Sequence, residues 1–157
     1  MLPATTELRL RHQLEAVPLL LAGTTAAAAE NRPAPGKWSA RENLAHLARY
    51  HEVMSLRIER MQREDNPPLD RYKAEDDPAW PHWQALPLAT VTAELSARRA
   101  ALLAQVGALS PAGLARRGVH PVLGALPVAL LLEFFLLHEA HHLYVALPLL
   151  RQPPAGA

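Results

Sequence analysis

The sequence predicts an all-α four-helix bundle with a long crossover between its second and third helices. Half of the 157 residues are hydrophobic while aromatics make up only 5%, so the apolar mass is Leu and Ala, both strong helix formers. Apolar residues recur at helical spacing in separate stretches, as in helices that bury one face. Between the second and third stretches lies a proline-rich segment, Asn66 to Pro87, long enough to carry the chain back along a bundle. Helices joined by short loops lie antiparallel, so the second and third are expected to run parallel and the first and fourth opposite to them, up-down-down-up.

Each element follows from local residues. From Thr5 to about Ala29, Leu8, Leu10, Leu14, Val17, Leu20 and Leu21 give helix one, which ends at two prolines between Asn31 and Gly36. Ser39-Ala40-Arg41-Glu42 has the form of a capping box, so helix two starts at Ser39. Along it Leu44, Leu47, His51, Met54, Ile58 and Met61 form a seam. A second line, His46, Tyr50, Val53 and Arg57, runs beside the first, and the helix fades near Asp65. Thr90 to Leu109 gives helix three, with Arg98 and Arg99 read as solvated. Ser110-Pro111 starts a short helical turn, Gly118 to Pro127 reads as an irregular approach, and helix four runs from about Val128 to Leu150.

Composition removes several function classes. The formal net charge is +1 with acids and bases interspersed, which leaves no basic footprint for nucleic acid. There is no cysteine, hence no disulfide, thiolate metal ligand or protein thiol nucleophile. The N-terminal stretch carries charges where a secretion signal needs an apolar core. The longest apolar run, Val119 to Leu132, is interrupted by His120, Pro121, Gly124 and Pro127 and is too short to span a bilayer. The expectation is one domain, residues 1–157, soluble and cytoplasmic, acting on a small molecule and not at a membrane.

The chemistry concentrates in His138-Glu139-Ala140-His141-His142. As a pattern this is H-E-x-x-H, in which two histidines one helical turn apart bind zinc and the glutamate activates its water. Residues 143–157 contain no His, Asp, Glu or Cys, so the downstream ligand of a zinc protease is missing, and no strand is evident to pair with a peptide. His138 and His142 nevertheless project from one face, with His141 displaced to the side. A third ligand must come from upstream, and helix two offers His46 and His51. At ~1.5 Å per residue His46 lies about 10 Å from its helix start and His142 about 12 Å from its helix end, so these levels match; His51 is level with His138, and geometry does not exclude it.

These residues resemble the DinB-like (DinB/YfiT) four-helix bundles. That family has a histidine early in helix two, in a context like KWSARENLAHLARY, and an H-x-x-x-H pair late in helix four, after a segment like RGVHPVLGALPVALLLEFFLLHEAHHL. The likeness covers nearly the whole chain. It implies a divalent-metal site at one mouth of the bundle formed by His46, His138 and His142, with His51 and His141 as surplus imidazoles beside it.

Three histidine ligands leave a coordination position open, as in catalytic sites, and zinc or nickel suits imidazole. The resemblance implies two chemistries. One is a transferase using a low-molecular-weight thiol of the bacillithiol type; the other is a metal-dependent hydrolase, in which Glu139 would be the general base for a metal-activated water. A non-enzymatic metal-binding or interaction module is the third reading. The apolar surplus and the family's habit both point to a homodimer.

Overall fold

A proline shapes the first part of the chain. The computed structural model describes residues 1–151, so 152–157 of the span expected for the domain lie outside the described residues. Helix one, expected to be continuous, is instead α1 (Ala4–His12), a 3-10 turn at Gln13–Glu15, α2 (Ala16–Leu21) and α3 (Ala26–Glu30). Pro18 has no amide hydrogen and its ring crowds the carbonyl four residues back, at Leu14, where the backbone tightens. Gly23 then takes a left-handed conformation at φ 73°, and the Thr25 hydroxyl caps α3 by accepting from the Ala28 amide at 3.1 Å.

α4 (Ala40–Arg63) starts as its sequence requires. The Glu42 amide donates to the Ser39 hydroxyl at 3.2 Å and the Ser39 amide to the Glu42 carboxylate at 2.8 Å, closing the capping box. The crossover contains a 3-10 turn, Ala74–Asp76, and a short helix, α5 (Trp80–Ala85). Trp80 and Trp83 both pack inward from it against Leu44, Leu47 and Leu95. α6 (Leu88–Gly107), α7 (Pro111–Ala115) and α8 (Val128–Arg151) complete the helices.

Residue pairing gives the directions. Arg41 reaches the carbonyls of Gln84 and Leu86, Arg98 meets Glu52, and Gln105 meets the Ser55 carbonyl. The partners rise together along the chain, so α6 lies parallel to α4. Asn43 meets His142 and Tyr50 packs on Phe135; here one number rises as the other falls, and α8 lies antiparallel to α4. Thr6 bonds Glu133 and Gln13 bonds Glu139, so α1 runs with α8. The result is a four-helix bundle whose main core holds Met54, Ile58, Leu102, Leu132 and Phe135.

Two further expectations are corrected. The irregular approach to helix four is an antiparallel hairpin, β1 (Arg117–His120) with β2 (Gly124–Pro127). Four-residue strands carry too little alternation to register in sequence, and part of their support is tertiary: Val119 exchanges backbone bonds with Pro67 and Leu69 of the crossover at 2.9 and 2.8 Å. Arg99, read as solvated, is only 5% exposed. It sits in the core because a buried carboxylate, Glu139, lies opposite it on α8. α8 itself is long and apolar enough to cross a membrane by composition; in this fold Leu131, Leu132, Phe135 and Leu136 are fully buried in the bundle, while Leu130, Leu137, Tyr144 and Leu147 are exposed.

Candidate metal centre

α4 and α8 cross so that His46 faces the i, i+4 pair His138 and His142. The Nε2 atom of His138 stands 3.1 Å from the Nε2 of His46 and 3.1 Å from the Nε2 of His142, and one ligand atom of each lies within 4.8 Å of the others. Nitrogens bound to one zinc at about 2.0–2.1 Å stand about 3.4 Å apart in a regular tetrahedron. The spacing fits a shared cation.

Hydrogen bonding around His142 fixes its tautomer. The Asn43 amide nitrogen donates to the Ser39 carbonyl at 2.8 Å, so its oxygen must be the atom 2.8 Å from His142 Nδ1. Nδ1 therefore donates, and Nε2 presents a lone pair. His138 Nε2 can carry one hydrogen at most and cannot fully serve two neighbours, while the Nδ1 atoms of His46 and His138 are buried without partners. A cation resolves the convergence of lone pairs at Nε2. Burial lowers these imidazoles from the ordinary 6.5, His46 to about 2, His142 to about 3 and His138 to about 4, and the closeness of further imidazoles, with Arg57 beside His138, acts in the same direction. They are neutral, as ligands must be. Trp38 covers the cluster, its ring 4.9 Å from His46 and 6.0 Å from His142.

The next residue on α8 enters a different network. Glu139 is fully buried; its Oε1 accepts from Gln13 at 2.8 Å and its Oε2 from Arg99. Arg99 also donates to His51 Nε2 at 3.0 Å and to the Leu10 carbonyl at 2.7 Å. His51 Nδ1 donates to the Leu47 carbonyl at 2.7 Å, so both of its ring nitrogens are engaged within protein. Burial lowers His51 to about 3, with Arg99 acting in the same direction. Burial also raises the Glu139 carboxyl, while Arg99 and Gln13 act against that rise.

The family model of the DinB superfamily matches residues 9–146. This chain belongs to the DinB superfamily. Comparison with curated proteins gives no match. Among solved structures it is similar to YfiT from Bacillus subtilis, described as a probable metal-dependent hydrolase with an unusual four-helix bundle topology. The TM-score is 0.77 at 17% identity, covering 92% of this chain and 83% of YfiT. At that identity the likeness is one of fold.

In this DinB-superfamily chain a cavity of about 230 Å³ opens beside His46 and His138. The hairpin, the crossover, α4 and α8 form its walls. His120 lies at the hairpin end, where its Nδ1 accepts from the Val122 and Leu123 amides at 3.3 and 3.2 Å. His141 is exposed, its ring 5.3 Å from that of His142. Sequence reasoning gave no site role to Asn43, Trp38 or Arg57. Asn43 lies three residues before His46 and Arg57 lies on the line with His46 and Tyr50, so helical spacing placed both on that face; their partners come from other elements, which spacing does not reveal.

Proposed function

We propose that this chain is a divalent-metal enzyme acting on a small molecule, and that the group it activates is an external low-molecular-weight thiol. The observation that supports this most is the cavity beside the imidazoles, whose lining has no carboxylate among the described residues, while Glu139 is held by Gln13 and Arg99. A metal-activated water benefits from a nearby base, whereas a thiol can reach its reactive form through the metal alone.

His46, His138 and His142 would hold zinc or nickel, and Asn43 would keep the His142 lone pair aimed at it. A divalent cation there supplies Lewis acidity, which raises the thiolate fraction at neutral pH. The Trp38 ring packs against one side of the imidazoles. The thiol gives its proton to solvent, its sulfur forms a bond to an electrophilic carbon, and the leaving group departs with its electron pair.

The second reading, a metal-dependent hydrolase, is favoured by the fold likeness to YfiT; it makes Glu139 the base and needs Glu139 to leave its present partners. Two measurements test these readings. Elemental analysis of untagged protein should give about one metal per chain, lost in His46→Ala, His138→Ala and His142→Ala and kept in His51→Ala. Metal-loaded protein with bacillithiol and a haloarene or epoxide should then form adduct above the uncatalysed rate. Turnover of esters or lactones without thiol, abolished in Glu139→Gln, would replace the first reading with the second; bound metal with neither activity would leave a non-enzymatic module.

A further inference from the structure

The cavity at the imidazole cluster has an unusual charge pattern. Among the described residues Arg57 and Arg71 line it, together with His46, His138 and His120, and no acidic side chain does. Arg57 is only 7% exposed, and the partners it reaches are neutral: the Tyr50 hydroxyl at 3.0 Å and the Asp70 carbonyl. Asp70 shares the adjoining groove with Arg57, Arg60 and Arg71, and it meets Arg57 through its backbone carbonyl. A guanidinium so desolvated without a carboxylate is costly unless a further anion meets it.

The neutral groups add donors of the same sense. His120 Nδ1 accepts two turn amides, so in the neutral ring Nε2 carries the hydrogen. The Tyr50 oxygen accepts from Arg57, which leaves its own hydrogen to donate. Phe134, Val122 and Leu123 supply apolar wall. The volume, about 230 Å³, is below the range of about 300–1,000 Å³ for ordinary ligand pockets.

We infer that this cavity is a subsite for the anionic oxygen group of a small, partly apolar substrate, with Arg57 and Arg71 as its binding residues and His120 as a further donor. The inference deepens the proposed function and rests on the same site, but it concerns binding and not turnover. Carboxylate and tetrahedral oxyanions share the required chemistry, acceptors only, matched to guanidinium forks.

Calorimetric titration of benzoate, benzamide and inorganic phosphate into the metal-free and zinc-loaded protein tests it without any reaction. Benzoate or phosphate should bind the metal-free protein, and benzoate about tenfold or more tightly than its neutral isostere benzamide. Benzoate alone would assign the subsite to carboxylates, phosphate alone to tetrahedral oxyanions. Arg57→Gln should weaken the binding about tenfold. Because Arg57 also ties α4 to the crossover, Arg71→Gln at the exposed rim is the second variant; it should weaken binding severalfold, and Arg71→Lys should restore part of it. Equal affinity for benzoate and benzamide with no phosphate binding, no anion binding at all, or anion binding unchanged in both Gln variants would overturn the inference. A failure of the thiol assays with these titrations intact would remove the reaction and leave the subsite.

Discussion

α4 and α8 carry two polar clusters on neighbouring faces, and consecutive residues of α8 belong to different ones. His138 joins His46 and His142, where nitrogens converge and two Nδ1 atoms lack partners. Glu139 joins Arg99, His51 and Gln13, where the carboxylate oxygens and both His51 nitrogens are bonded to protein. Both clusters are built from histidine and other polar groups, and the second is the more deeply buried, with Glu139 and His51 almost wholly enclosed while His138 and His142 are half-buried. Completeness of hydrogen bonding is the difference that bears on a ligand: the closed network can hold the helices together without one, and the open one cannot satisfy itself.

The largest effect that would sharpen this contrast is expected for Glu139→Ala. It leaves the Arg99 guanidinium buried without its carboxylate, and urea unfolding should show a loss of about 3–5 kcal/mol, while metal per folded chain stays that of wild type. Stability preserved but metal lost would break the comparison, because Glu139 would then serve the open cluster. Asn43→Leu works the other way: His142 Nδ1 loses its acceptor, and metal affinity should fall about 10–100-fold in competition with a chromophoric chelator. An affinity within about twofold of wild type would remove Asn43 from the site.

The smallest effect is one histidine's share of a pH dependence common to both clusters. In the metal-free protein His46, His142, His51 and His138 are lowered from 6.5 to about 2, 3, 3 and 4. Below 6.5 the unfolded chain binds protons that the folded chain refuses, so unfolding is favoured as pH falls. Stability should be fully present above 6.5 and decline progressively from there through about 4, where His138 takes its proton. His51→Asn should make the decline shallower by one histidine's share; an unchanged slope in thermal melts would show that His51 is already protonated in the fold.

Much of this was legible in the chain. The capping box at Ser39 and Glu42 is local chemistry, and it set the start of α4 within hydrogen-bonding reach of the structure. The i, i+4 spacing of His138 and His142 needs only the helical period, which is why their common face could be read directly. Helix one was misread because a single proline, Pro18, outweighed a run of correctly spaced leucines. Arg99 looked solvated because charge in a sequence carries no record of the carboxylate that meets it from another helix.

Sequence by itself determined the helical class, the crossover segment and the histidines from which a metal centre could be built, since these depend on periodicity, turn chemistry and side-chain type. Only the tertiary structure decided which polar residues face one another. It separated His46 from His51, gave Glu139 to Arg99, brought Asn43 to His142 and placed Arg57 in the wall of a cavity. The physical reason is that a polar group's role is set by its partners and by the water it has lost, and in a bundle those partners come from helices distant in the chain.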